Sequence, residues 1–199
     1  MTNRPGGRSA RVRAVVLEAT YAELVRCGYL GMTVENVADR AGVHKTTVYR
    51  RWGTVDVLIA DALDSSRDVE WPAPDTGSLE GDLIAIATEV VDVFTDPARS
   101  AVPEAVVTAA LQSSRARQAK KDFYASRHAQ AAVVVTRAIQ RGELAADTDA
   151  VELIRFTCAP LYYRIFITGE PIDHAAAERA ARAALVAARA GLLAAAPNA

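Results

Sequence analysis

Apolar residues recur every three to four positions along almost the whole 199-residue chain, and no stretch alternates apolar and polar residues over the length of a strand. This spacing places apolar side chains along one face of an α-helix, so the sequence predicts an all-α fold. Composition supports the prediction, because 41 of the residues are alanine, the strongest helix former. Residues 65–78 interrupt the pattern with two prolines and a glycine and predict a loop.

The pattern divides into about nine helices. Thr33 and Thr54 stand where side chains can cap the second and fourth helices, and Gly28 and Gly42 stand where the first and second end. Pro160 lies inside the eighth helix and predicts a kink or another local irregularity. The predicted helices span about 10–27, 34–41, 44–52, 54–63, 79–94, 98–114, 116–141, 149–168 and 173–195.

Charge is unevenly distributed, although the formal net charge is only −1. Residues 1–52 contain nine basic and four acidic side chains, whereas residues 53–199 contain 14 basic and 20 acidic ones. A basic N-terminal part followed by an acidic helical body is typical of a nucleic-acid reader with a separate effector domain. We therefore predict a flexible basic arm at 1–8, a DNA-binding domain at 9–53 and an effector domain at 54–199.

Residues 33–52 (TVENVADRAGVHKTTVYRRW) have the pattern of a helix-turn-helix: a short helix, a glycine turn and a second helix with a polar, basic outer face. Hydroxyls and cations on such a face can bind phosphates and base edges in the major groove. Tyr49 could instead be a core aromatic, but we favour a phosphate contact, whereas Trp52 is predicted to be core. The side chains predicted to meet DNA on this helix are Lys45, Thr46, Thr47, Tyr49 and Arg50.

Residues 11–58 resemble the DNA-binding domain of the TetR family of transcriptional regulators. The resemblance is carried by Gly28-Tyr29, by Thr33-Val34-Glu35-Asn36-Val37-Ala38, and by the run from Ala41 to Trp52. It implies a homodimeric repressor whose C-terminal domain binds a small-molecule effector, with the last two predicted helices at the dimer interface. Segments of residues 141–171 are similar to C-terminal domains of actinobacterial members.

The resemblance also implies roles for single residues. Thr33 and Tyr49 would bind phosphates, and Thr46, Thr47 and Arg50 would lie on or near bases. Two positions depart from the family pattern. His44 stands where a serine or threonine usually caps the recognition helix, and Val55 stands where a lysine often contacts a phosphate. We expect Arg51 or the N-terminal arm to supply that missing contact.

The acidic body contains aromatic and polar-tipped side chains that could form a helix-bundle core or line an apolar pocket. The predicted pocket residues are Phe94, Phe123, Tyr124, His128, Phe156, Tyr162 and Phe166. The last predicted helix has a wide face of small residues, which allows close helix approach and suits a dimer interface. The predicted interface residues are Ala177, Ala180, Ala181, Ala184 and Ala188.

Several classes of function lack support in the sequence. There is no Gly-rich phosphate loop, no G-x-S-x-G turn and no H-E-x-x-H pattern, so an enzyme is not predicted. Three dispersed histidines and two dispersed cysteines predict neither a metal site nor a cofactor. The competing interpretation is a helical interaction or effector-binding module whose DNA-binding function is lost or activating.

The location of the protein is predicted from its cysteines and its apolar runs. Cys27 and Cys158 are far apart and no secretory segment precedes them, so we expect no disulfide and a cytoplasmic protein. The most apolar run, Leu153 to Ile167, contains Arg155 and Arg164 and is shorter than the roughly 20 residues of a membrane span. No contact with a membrane is predicted.

Overall fold

The computed structural model describes residues 6–67 and 69–195. All regular elements in these ranges are helices, and an isolated bridge between Thr148 and Ala194 is their single β contact. The all-α prediction is therefore confirmed. A π-helical turn, Arg164–Thr168, continues α9. The α-helices are α1 (Gly6–Gly31), α2 (Val34–Ala41), α3 (Lys45–Trp52), α4 (Val55–Ser66), α5 (Leu79–Thr95), α6 (Pro97–Gln112), α7 (Ser114–Ala131), α8 (Val133–Gln140), α9 (Ala150–Tyr163) and α10 (His174–Arg189).

Local chemistry explains the helix ends near the N-terminus. Gly28 interrupts α1 with a φ of 64° and a ψ of −175°, at the predicted end of the first helix. The Thr33 hydroxyl accepts a hydrogen bond from the Asn36 N–H and caps α2. Gly42 ends α2 in the left-handed conformation, with φ 64° and ψ 31°, which glycine adopts without steric cost.

Several boundaries differ from the sequence-based prediction, and the last predicted helix, 173–195, ends at Arg189. The predicted arm at 1–8 falls partly outside the described residues, and residues 6–8 belong to α1. The predicted helix 116–141 is divided at Ala132, where ψ opens to −15°. Pro160 lies inside α9, and a π-helical turn begins four residues later at Arg164. Thr54 precedes α4 in an extended conformation, but its side chain makes no capping hydrogen bond.

The chain forms two compact units. Unit 1 comprises Met1–Val69 and Pro97–Tyr124, and unit 2 comprises Glu70–Asp96 and Ala125–Ala199. The division does not follow the predicted boundary after residue 53, because α4 and α6 both pack on α1. The functional boundary after residue 53 stays a prediction.

Each unit has its own apolar core. In unit 1 the core joins α1–α4 to α6, and its fully buried members include Val16, Leu24, Val37, Val48, Leu58 and Ile59. In unit 2 it joins α5 and α8–α10, and its fully buried members include Leu79, Leu83, Val134, Leu153, Ile154 and Leu161. None of the helices in the described ranges is long and apolar enough to cross a membrane.

Each unit also contains one cysteine, and neither cysteine forms a disulfide. Cys27 lies half-buried in α1, where its thiol donates to the Glu23 carbonyl oxygen at 3.1 Å. Cys158 is buried in α9, and burial raises the pKa of its thiol to about 12.

Candidate nucleic-acid interface

Helices α2 and α3 form the helix-turn-helix predicted from residues 33–52. Val37 and Ala38 of α2 and Val48 of α3 are fully buried, and Trp52 at the end of α3 is 5% exposed. In the turn, the Val43 N–H donates to the Ala38 carbonyl oxygen at 3.1 Å. The buried side chains and the turn fix α3 against the core of unit 1, so its outer face is presented in one orientation.

Six of the side chains predicted to meet DNA belong to α3, and Thr33 lies at the N-cap of α2. All of them are exposed except Thr47, which is half-buried: Thr33, Lys45, Thr46, Thr47, Tyr49, Arg50 and Arg51. Tyr49 is 44% exposed, so it is not a core aromatic, whereas Trp52 is one. The structure thus brings the seven residues to one region around α3, and their contacts with DNA stay predictions.

His44 caps α3 in place of the usual serine or threonine. Its Nδ1 lies 3.4 Å from the Thr46 backbone N and 2.9 Å from the Thr46 hydroxyl. An imidazole nitrogen that accepts from an N–H must be unprotonated, so the cap requires the neutral ring. The helix cap is therefore kept, but an imidazole nitrogen replaces the usual hydroxyl oxygen as the acceptor.

Val55 is the second departure from the family pattern, at the position where a lysine often contacts a phosphate. It is half-buried in the first turn of α4 and packs against the core of unit 1. A side chain in that position contributes to packing and cannot bind a phosphate by charge.

Tyr49 makes a contact that the sequence did not indicate. Its hydroxyl donates to the Glu35 carboxylate across the two helices at 2.7 Å. This hydrogen bond raises the pKa of Tyr49 and lowers the pKa of Glu35. The single hydroxyl proton of this predicted phosphate ligand is thus already engaged within the protein.

Asp61 of α4 joins the end of the recognition helix to α1. Its carboxylate accepts from the Trp52 indole N–H at 2.9 Å and from the Arg13 guanidinium at 2.6 and 3.0 Å. Burial raises the pKa of Asp61, but the hydrogen bonds from Arg13 and Trp52 outweigh burial and place the pKa below its usual value. The Arg51 guanidinium stacks on the Trp52 ring at 4.9 Å and donates to Ser9.

Two tyrosines add further links between α1 and α4. The Tyr29 hydroxyl donates to Asp56 at 2.8 Å, and the Tyr21 hydroxyl donates to the Ala62 carbonyl oxygen at 2.8 Å. With Asp61, these contacts attach α4 to α1 at three points along the helix.

Glu23 is a buried carboxylate that joins α1 to α2. Only 3% of its side chain is exposed, and it accepts hydrogen bonds from Arg26 and Arg40 at distances of 2.5 to 3.1 Å. The hydrogen bonds from Arg26, more than those from Arg40, lower the pKa of Glu23 to about 2 despite its burial. Sequence analysis missed this ion pair, because Arg40 is 17 residues from Glu23.

Models of known protein families match the chain in two places. Residues 16–62 match the model of bacterial regulatory proteins of the tetR family, and residues 73–184 match the tetracyclin repressor-like C-terminal domain. The second match alone covers more than half of the chain.

The chain belongs to the TetR family of transcriptional regulators. Members of this family are regulators of transcription, so the chain is a helix-turn-helix regulator and not an enzyme.

Relatives support the assignment. The HTH-type transcriptional regulator AqdR of Rhodococcus erythropolis is 35% identical over 161 residues, which cover 81% of this chain and 76% of AqdR. The DNA-binding transcriptional repressor TetR of Mycobacteroides abscessus is 30% identical over 88% of this chain and 90% of its own length. The crystal structure of the TetR family transcription regulator SCO0332 matches with a TM-score of 0.70 and 28% identity, over 88% of this chain and 97% of that one.

Three of the predicted pocket residues of this TetR-family chain form an aromatic cluster within unit 2. In unit 2, Phe94 packs edge-on against Tyr162 and Phe166 at ring distances of 5.9 and 5.5 Å. In unit 1, Phe123 and Tyr124 pack edge-on against each other at a ring distance of 5.5 Å. We call Phe94, Tyr162 and Phe166 the aromatic cluster of unit 2.

The two remaining pocket candidates are Phe156 and His128. Phe156 is 42% exposed on α9. His128 is half-buried, and burial lowers its pKa, as does the nearby Arg155. Unit 2 contains a cavity of about 310 Å³ that none of the seven candidates lines; its walls include Glu143, Leu144, Asp147, Thr148 and Arg189.

The alanine face of α10 requires a correction. The five alanines predicted to form the dimer interface are 0–6% exposed within the single chain: Ala177, Ala180, Ala181, Ala184 and Ala188. This face packs inside unit 2, where α10 contacts α5 and α9. Small residues do allow close helix approach here, but the neighbouring helices belong to the same chain.

Proposed function

We propose that the chain is a transcriptional repressor that binds a palindromic operator as a homodimer and leaves it when a small apolar or aromatic effector binds. The rigid presentation of the polar, basic face of α3 is the observation that carries the proposal. Two-fold symmetry in the dimer requires two half-sites, about one helical turn of DNA apart or a multiple of that distance. The protein would act in the cytoplasm, where its DNA lies.

Each residue of the interface has a proposed role. Thr33 caps α2 with its oxygen and keeps its hydroxyl proton for a phosphate. Lys45 and Arg51 would add phosphate contacts through their charge, and Tyr49 would add one through its hydroxyl. Base edges would be read from the middle of the exposed face by Thr46, Thr47 and Arg50.

We propose that the dimer interface uses the outward face of α9 instead of the inward alanine face of α10. Phe156, Pro160, Tyr163 and Ile167 are all exposed and are spaced four, three and four residues apart, so they form an apolar strip along α9 and its π-helical end. Ile167 is 70% exposed. A second copy would cover this strip with its own, as an isologous interface requires.

The effector would bind next to the cluster of Phe94, Tyr162 and Phe166. Aromatic rings in edge-on contact offer both ring faces and ring edges to an apolar or aromatic molecule. The effector releases the operator only if it binds the DNA-incompetent dimer more tightly than the competent one.

Helix α4 is the proposed route from effector to DNA. Asp61 attaches it to Trp52 at the end of the recognition helix. A displacement of α4 would therefore change the position of α3, and with it the separation of the two DNA-binding faces in the dimer.

The DNA-binding proposal is tested by selecting duplexes from a random library with the full-length protein and measuring affinity in a gel shift at fixed salt. We expect a palindromic sequence to be enriched, and Thr47→Ala with Arg50→Ala to abolish the specific complex. Arg99→Ala removes an exposed charge on α6 and should leave affinity within twofold. Enrichment of no sequence would support the alternative of a helical interaction module.

The interface proposal is tested by the oligomeric state in solution. Tyr163→Glu with Ile167→Glu places charges in the apolar strip and should produce monomers in analytical ultracentrifugation, with loss of the palindromic complex. The control is Glu178→Gln on α10, which lies outside the strip. A dimer that persists with charges in the strip would place the interface elsewhere.

A further inference from the structure

Glu35 places a negative charge on the surface proposed to meet DNA. Its Oε1 accepts the Tyr49 hydroxyl at 2.7 Å, and its carboxylate also interacts with the residue's own backbone N–H and with the charge of Lys45. A hydroxyl that could serve a phosphate thus donates to a carboxylate of the protein itself. Glu35 occupies this surface much as a bound anion would.

A tyrosine hydroxyl carries one proton and can donate one hydrogen bond at a time. The phosphate contact proposed for Tyr49 uses the same proton that Glu35 now accepts. The carboxylate also repels any phosphate that approaches Tyr49, because both groups are negative. DNA therefore has to displace Glu35 before Tyr49 can bind the backbone.

We propose that Glu35 competes with a DNA phosphate for the Tyr49 hydroxyl and so sets the affinity of the protein for its operator below what the other contacts would give. This inference rests on the proposed DNA-binding function and deepens it. Glu35 is a restraining residue in this account: its removal strengthens binding, although it lies in the interface.

The opposite arrangement makes the opposite prediction. If Glu35 held Tyr49 in the position where it meets a phosphate, removing the carboxylate would weaken binding. It would also make Tyr49 less important. The sign of the change in DNA affinity therefore shows whether Glu35 restrains Tyr49 or positions it. A loss of protein stability alone would not increase the affinity for DNA.

The experiment is a double-mutant cycle on the operator selected by the wild-type protein, with affinities measured in one buffer. We expect Glu35→Gln to tighten binding by about three- to tenfold, because it removes one repulsive charge and weakens the acceptor. Glu35→Ala, which removes the acceptor entirely, should tighten it at least as much. Tyr49→Phe should cost more affinity in the Glu35→Gln protein than in the wild type, because only there is the hydroxyl available to the phosphate.

Two controls keep the outcomes distinct. Glu104→Gln removes an exposed carboxylate on α6 of unit 1 and should leave affinity within twofold. A thermal unfolding curve for each variant shows that the protein is folded. Unchanged or weaker binding in both Glu35 variants would overturn the inference while leaving the DNA-binding proposal intact, whereas failure of the wild type to enrich any duplex would overturn both.

Discussion

In unit 1 the carboxylate of Glu23 joins α1 to α2, and that of Asp61 joins α4 to α1 and α3, each through hydrogen bonds of at most 3.1 Å. In unit 2, α10 packs on α5 and α9 through a face of alanines. Directional polar contacts fix the angle and position of a helix, and a change of charge alters them. Alanine packing fixes mainly the distance between helices, and added volume alters it. Different substitutions should therefore destabilise the two units: changes of charge in unit 1 and added volume in unit 2.

The largest effect is expected from added volume in unit 2. Ala184 is fully buried, so Ala184→Leu should lower the free energy of unfolding by about 3 kcal/mol, at the upper end of the usual range for overpacking. Ala129→Leu inserts the same side chain at an exposed position of α7 and should change it by less than about 0.5 kcal/mol. Urea denaturation of both variants measures the difference. Equal effects would show that the alanine face is not closely packed.

A pH-dependent effect is expected from Glu23 in unit 1. Its pKa in the folded protein, about 2, lies below the ordinary value of 4.5. The ion pair therefore stabilises the fold above about pH 4.5, and this stabilisation is lost as the pH falls toward 2. Glu23→Gln should cost about 1–3 kcal/mol at pH 7, since the two arginines are about half exposed and solvent screens them.

The measurement for Glu23 is the difference in unfolding free energy between the wild type and Glu23→Gln from pH 7 to pH 2. That difference should shrink as the pH falls. Glu18→Gln, at an exposed position of α1, should show no such trend. A difference that stays constant down to pH 2 would mean that Glu23 has an ordinary pKa.

A smaller effect on stability, but a clear one on DNA binding, is expected from Asp61. Asp61→Asn keeps an acceptor for Trp52 and loses the charge that pairs with Arg13, so it should lower the unfolding free energy by about 1 kcal/mol. Operator affinity should fall by about tenfold, since the end of α3 is less well fixed. Asp64→Asn is the matched control: Asp64 lies on the same helix, and its ion pair is with Arg115 of α7. Equal losses of affinity in both variants would argue against Asp61 as the link.

The smallest effect is expected at the cap of α3. Serine is a stronger N-cap than the His44 imidazole, whose Nδ1 stands 3.4 Å from the Thr46 nitrogen, so His44→Ser should stabilise the protein by about 0.5 kcal/mol. His44→Ala should destabilise it by a similar amount. Thermal unfolding of the pair measures both. A loss of stability with serine would show that the histidine ring makes a contribution beyond the cap.

Sequence reasoning succeeded where the determining chemistry is local. The interruption of α1 at Gly28, the end of α2 at Gly42, the Thr33 cap and the exposed face of α3 all follow from residues within a few positions of each other. The pattern in α10 correctly identified a face of small residues, but periodicity does not say which helix covers a face. Its burial inside unit 2 depends on α5 and α9, which are distant in sequence.

The same limit applies to the site. Asp61 is 48 residues from Arg13, and Tyr49 is 14 residues from Glu35. Neither pair has a helical spacing that would indicate contact before the fold is known. Val55 shows the converse case, since its apolar side chain already indicated that the usual charged contact is missing from α4.

The distribution of cysteines gives each unit a chemical reporter. Alkylating reagents attack the thiolate, and the pKa of about 12 means that Cys158 offers almost none of it while α9 stays packed. The rate at which Cys158 is labelled therefore measures how often unit 2 opens, whereas half-buried Cys27 reports on the end of α1 in unit 1. Mass spectrometry of the two alkylated peptides would follow the opening of both units in a single sample, with no engineered residue.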